Sequence, residues 1–65
     1  MKIIINGVER ELAAATLSAA LKALDYGGAT VATAVNGHFV PARKRATTKL
    51  AEGDRLEIVA PRQGG

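Results

Sequence analysis

The dipeptide Asn-Gly stands twice in this 65-residue chain, at Asn6-Gly7 and at Asn36-Gly37, each time between apolar β-forming residues. Asn and Gly tolerate the positive φ that a type I′ turn requires at both central positions, and that turn's twist matches two antiparallel strands. Each pair therefore calls for a hairpin. Ile3, Ile4 and Ile5 precede the first turn as a continuous run, the pattern of a strand covered on both faces or placed centrally. After the turn "VERELA" alternates, with Val8, Arg10 and Leu12 on one side and Glu9 and Glu11 on the other. The charged side belongs in water, so this is an outer strand. Around the second turn Val31, Thr33 and Val35 share a face, and Phe39 and Val40 continue beyond it. Pro41 ends the pairing because it has no N–H to donate.

Between the hairpins the period changes. Thr16 offers a hydroxyl as an N-cap, and Leu17, Leu21 and Leu24 recur at i, i+4 and i+7 with Ala20 beside them. Ala19 and Ala23 favour helix, Lys22 and Asp25 face water, and Gly27-Gly28 supplies a stop. About three turns of helix with one apolar stripe need a sheet to lie on. Further on, "ARKRATTKL" has no clean period and crosses the surface, with Leu50 as its anchor in the core. Glu52-Gly53-Asp54 then turns the chain into "RLEIVA", where Leu56, Ile58 and Ala60 face one way and Arg55, Glu57 and Val59 the other. Placed parallel to the first strand, this last strand completes an α+β fold of the β-grasp type. It predicts a mixed four-stranded sheet with one main helix packed across one face. Residues 1–60 form a single domain, Pro61 breaks the last strand, and residues 61–65 follow as a flexible tail.

Composition removes several kinds of chemistry. A chain this short buries only about 60% of the surface its unfolded form exposes, so a deep enclosed active site would use up most of the core. There is no Cys, hence no disulfide, no thiolate metal site and no persulfide-forming thiol, and His38 alone makes no metal site. No Ser/His/Asp or Cys/His combination is available, and Glu52 and Asp54 read as turn residues rather than an acid/base dyad. The glycine spacings fit no phosphate cradle. "MKIIING" is too short for a signal-peptide core or a membrane span. No catalytic side chain, stably bound cofactor or metal is expected, and the chain reads as soluble and cytoplasmic. Nine Lys and Arg against six Asp and Glu give a formal charge of +3, much of it in Arg43-Lys44-Arg45. That run is either a solvated loop or a contact for an acidic partner. A nucleic-acid patch adds interleaved aromatic platforms, and Phe39 and Tyr26 lie away from the run.

The chain finishes on "IVAPRQGG". A terminal Gly pair arises by chance roughly once in 200 chains at average glycine usage, so a frayed end or a cloning remnant stays open. Read functionally, the singular group is the α-carboxylate of Gly65. With a reference pKa of about 3.5 it is ionised at neutral pH and a poor electrophile, so transfer requires activation, most simply as a mixed anhydride with AMP. Gly64 and Gly65 carry no side chain to obstruct a narrow nucleotide site. The five residues after Ala60 reach about 17 Å when extended.

The segments "MKIIINGV", "TLSAALKAL", "VATAVNGHFVP" and "TKLAEGDRLEIVAP", with the terminal "GG", span essentially the whole chain. Together they resemble the bacterial ThiS family, the small β-grasp sulfur carriers of thiamine biosynthesis. The most specific part is Asn36-Gly37-X-Phe39-Val40-Pro41 followed by Leu50-X-Glu52-Gly53-Asp54. The resemblance implies a protein co-substrate rather than an enzyme. A ThiF-like, E1-like adenylyltransferase would spend ATP to adenylate Gly65, and sulfur from a cysteine-desulfurase persulfide would convert it to a thiocarboxylate. The thiazole synthase ThiG would accept that sulfur, and Gly64 would be the slender neck entering both partners. Phe39, Val59 and Arg62 are candidate docking residues, with core packing as the competing reading for the two apolar ones. A MoaD-type carrier for molybdopterin synthesis, a ubiquitin-like modifier of lysines and a small basic nucleic-acid-binding domain are the alternatives.

Overall fold

The computed structural model describes residues 1–26 and 30–60. Both Asn-Gly pairs make the turns required of them. β1 (Lys2–Ile5) and β2 (Val8–Glu11) join through Asn6 and Gly7 at φ 49° and 83°. β3 (Ala32–Val35) and β4 (His38–Val40) join through Asn36 and Gly37 at φ 51° and 84°. Ile5 stands opposite Val8 and Val35 opposite His38, so both loops have two residues. β5 (Arg55–Val59) lies between the hairpins, parallel to β1 and antiparallel to β3, in the order β2-β1-β5-β3-β4. This is the β-grasp arrangement with five strands where four were expected. The second turn keeps His38–Val40 in register with β3, so these three residues form a full edge strand before Pro41 leads into a 3₁₀ turn, Ala42–Lys44.

α1 (Leu17–Ala23) is seven residues long, about two turns rather than three. Thr16 caps it as expected, its Oγ1 accepting from the Ala19 N–H at 3.2 Å. Two further orphan donors of the first turn find loop carbonyls: Leu17 N–H reaches Thr48 O at 2.9 Å and Ser18 N–H reaches Arg45 O at 3.1 Å. The helix stops early because Asp25 takes a left-handed conformation, φ 69°. Its N–H bonds Lys22 O at 3.0 Å, and the Tyr26 N–H bonds Leu21 O at 2.7 Å, the pairing of a Schellman motif. Gly27-Gly28, read as the stop, lies outside the described residues.

The sheet's two faces differ. Ile3, Ile5, Leu56, Ile58, Val40 and Thr33 point to the helix side and are buried with Leu17, Ala20, Leu21 and Leu50. Ile4 is only half-buried on the other side, so the isoleucine run is covered on one face. Val8 and Arg10, cross-strand from Ile5 and Ile3, are exposed, and burial on that row returns only at Leu12. Ala60, past the end of β5, is exposed too, whereas alternation had placed it with Leu56 and Ile58.

Thr33 is the one buried polar side chain among the described residues, and it has partners. Its Oγ1 donates to Val40 O at 2.9 Å and accepts from Arg45 Nε at 3.2 Å. A second Arg45 nitrogen donates to Val31 O at 2.6 Å. Arg45 is therefore a half-buried strap between the loop and β3 rather than the third charge of a solvated run. The turn at 51–54 forms as read, with Gly53 at φ 84° and Asp54 Oδ2 accepting from Ala51 N–H at 2.8 Å.

Two stability measurements follow from this packing. Asp25→Gly relieves both the left-handed conformation and a carboxylate at the negative end of the helix, and is expected to stabilise by about 0.5–1 kcal/mol, raising Tm by about 2–8 °C. Neighbours on β5 are expected to differ sharply in denaturant melts: Ile58→Ala costs about 2–5 kcal/mol, and Val59→Ser changes stability by less than about 0.5 kcal/mol.

Candidate functional site

The face of the sheet away from the helix carries the alternate residues of every strand: Lys2 and Ile4, Glu9 and Glu11, Arg55, Glu57 and Val59, Ala32 and Ala34, and Phe39. No described element packs over it. Phe39 is 69% exposed and Val59 62% exposed, which decides between the two readings of these residues in favour of surface and against core. The reason is parity: each is one residue out of phase with the buried set on its own strand. Phe39 pairs with Ala34 and Val59 with Ala32, so two small side chains lie between the two large ones. Phe39, Val59, Ala32 and Ala34 line an open groove of about 230 Å³, with Glu57 and Asn6 also bordering it. The alanines belonged to the alternation read from β3, but their small size and outward phase were not connected with Phe39.

The groove adjoins the end of β5, since Val59 is that strand's last residue. Arg62, Gly64 and Gly65, the remaining candidate residues, lie outside the described residues. What the structure adds is how β5 is held. Both turn asparagines reach it with their side chains. Asn6 Oδ1 accepts from Ile58 N–H at 2.9 Å, and its Nδ2 donates to Ile58 O at 3.1 Å. Asn36 Oδ1 accepts from Arg55 N–H at 3.0 Å, and its Nδ2 donates to Asp54 Oδ1 at 3.0 Å. Sequence reading found the turns but not these bonds, because nothing local marks which distant strand a turn side chain meets.

Charge is uneven around the groove. Arg45 bonds Val31, the residue before Ala32, and Ala32 faces Val59. The basic loop thus sits at the end of the sheet where β5 finishes. Arg43 and Lys44 are exposed there, Lys49 is exposed farther along the loop beside Thr16, and among the described residues no carboxylate bridges them. The ion pairs present lie at the opposite edge, Met1 ammonium with Glu11 at 2.9 Å and Lys2 with Glu9 at 3.7 Å. The hydrogen bond from the Met1 ammonium, then its charge, holds the Glu11 carboxyl below its ordinary value. Glu52 accepts a backbone N–H from Lys2 at 3.0 Å and Asp54 serves its turn, so neither is placed as an acid/base pair. Among the described residues no group of three or more His, Cys, Asp or Glu side chains comes together to hold a metal, and no helix is long and apolar enough to cross a membrane.

Known proteins resemble this architecture and sequence together. The chain is 41% identical over 66 residues to a thiazole synthase of Paramagnetospirillum magneticum. That match takes in 100% of this chain and 20% of the relative, so the chain spans one-fifth of the length of the curated protein it matches. Its fold matches the crystal structure of thiamine biosynthesis protein ThiS from Geobacter metallireducens with a TM-score of 0.83 and 25% identity, covering 100% of both chains. The family model of ThiS matches residues 3–65, nearly the whole sequence, and the chain belongs to the ThiS family.

Proposed function

We propose that this chain is a sulfur carrier of thiamine biosynthesis whose reactive atom is the terminal carboxylate of Gly65. The observation that carries the reading is the family match, which runs to residue 65 and so includes Gly64-Gly65. In the first step a carboxylate oxygen attacks the α-phosphorus of ATP in a ThiF-like enzyme, and pyrophosphate leaves. A persulfide sulfur then attacks the acyl carbon, and AMP leaves. Cleavage of the resulting S–S bond by a thiol leaves the Gly65 thiocarboxylate, which carries nucleophilic sulfur in a chain without cysteine. A thiazole synthase of the ThiG kind consumes that sulfur. A thiazole synthase containing a segment 41% identical to this chain supports the pairing, because it joins such a segment to the enzyme in one polypeptide. The chain itself is a co-substrate, and ATP is consumed by its partner.

The groove of Phe39 and Val59 suits docking of these partners, since an exposed aromatic beside small residues is the kind of anchor that dominates interfaces. Adjacency of the groove to the end of β5 lets one surface contact guide the tail. The MoaD-type alternative calls for a larger helical insertion after the third strand, and the segment between Pro41 and Asp54 contains one 3₁₀ turn.

Intact mass spectrometry after incubation with ATP, a ThiF-like enzyme and a persulfide donor tests the reading. Exchange of one oxygen for sulfur at Gly65, abolished by one residue appended after it, is expected; an unchanged mass overturns the proposal. Docking is tested separately. Phe39→Ser is expected to raise KM for adenylation about tenfold, equivalent to about 1.4 kcal/mol, while the melt stays near wild type. If Arg43, Lys44 and Lys49 steer association, added salt slows it, and a salt-independent rate removes that role.

A further inference from the structure

We propose that Asn6 is a positioning residue for the C-terminal segment, fixing where that segment leaves the sheet and so how the terminal carboxylate is presented for activation. The proposal rests on the sulfur-carrier reading above.

The backbone ladder between β1 and β5 is short. Ile4 pairs with Arg55 and Ile5 with Leu56, and the Asn6 N–H donates to Leu56 O at 3.0 Å. There β1 ends, because Asn6-Gly7 turns the chain away into β2. In an extended strand, residues i and i+2 present their N–H and C=O to the same neighbour, so Ile58 faces the side that β1 has just vacated. The Asn6 carboxamide fills that place. It takes both the N–H and the C=O of Ile58, at 2.9 and 3.1 Å, and acts as one further rung of the ladder. Two residues later the described chain reaches Ala60, the last residue before the tail. Asn6 is thus the final described hold on β5 from the β1 side.

Asn36 supplies an internal comparison. It occupies the same position of the same turn type, also with positive φ, and makes two side-chain bonds to Arg55 and Asp54 at the other end of β5. Glycine tolerates that conformation at either site. Asn6→Gly and Asn36→Gly therefore each remove two side-chain bonds, both to Ile58 near the tail in the first case, and one to Arg55 and one to the Asp54 carboxylate, remote from it, in the second.

The experiment uses the full chain with a ThiF-like enzyme and ATP, following pyrophosphate release, together with amide hydrogen exchange. Both variants are expected to lose similar stability. Asn6→Gly is expected to lower kcat about tenfold, part of the roughly hundredfold that a misplacement of about 1 Å can cost. KM is expected to stay unchanged, which separates positioning from any change in the adjoining groove. Asn36→Gly is expected to keep wild-type kcat. Asn6→Asp, which retains the acceptor but sets a carboxylate against Ile58 O, is expected to lose activity as well. Wild-type kcat in Asn6→Gly, or an equal fall in Asn36→Gly, overturns the proposal. If the wild-type chain forms no adenylate, the sulfur-carrier reading fails and exchange decides the remainder. Faster exchange at Ile58 in Asn6→Gly alone upholds the clamp, and unchanged exchange there overturns it.

Discussion

β5 sits between one hairpin from the start of the chain and one from its middle, and its backbone needs partners on both sides. β1 provides them on one side and β3 on the other. Neither hairpin contacts the other directly in the sheet order, so without β5 there is no single sheet. The strand also carries Leu56 and Ile58 into the core, at 0% and 5% exposure, which gives the helix its surface to pack on. A buried central strand with unpaired N–H and C=O groups would cost several kcal/mol, which explains why side-chain amides are recruited where the ladders run out.

That requirement links stability to the candidate site. The residues of β5 alternate between the core and the open face, so Val59 reaches the surface because Ile58 and Leu56 are buried. Phe39 follows the same logic on β4, with Val40 inward and Phe39 outward. Among the described residues one α-helix covers one face of the sheet and leaves the other open. In the function proposed above, a core this small leaves the chemistry to the end of the chain and recognition to the open face.

The helix side of the basic loop has a different character. Its carbonyls at Arg45 and Thr48 cap α1, and the Arg45 side chain satisfies Thr33, so a segment without secondary-structure period is tied down by polar bonds. Only the outer charges, Arg43, Lys44 and Lys49, remain exposed to meet another molecule. One loop thereby separates structural cations from available ones, residue by residue.

By itself the sequence determined what depends on neighbouring residues. Positive φ at Asn-Gly, the Thr16 cap, the period of two in "RLEIV" and the break at Pro41 are local backbone chemistry, and each formed as read. The quoted segments likewise resembled the ThiS family, to which the chain belongs. Tertiary structure alone decided matters of distance. It made Phe39 and Val59 surface rather than core, because among the described residues no second layer covers that face of the sheet. It turned Arg45 into a strap from the loop to β3. And it sent Asn6 and Asn36 to opposite ends of a strand some 52 and 19 residues away, a pairing that no local period encodes because it follows from how the sheet closes.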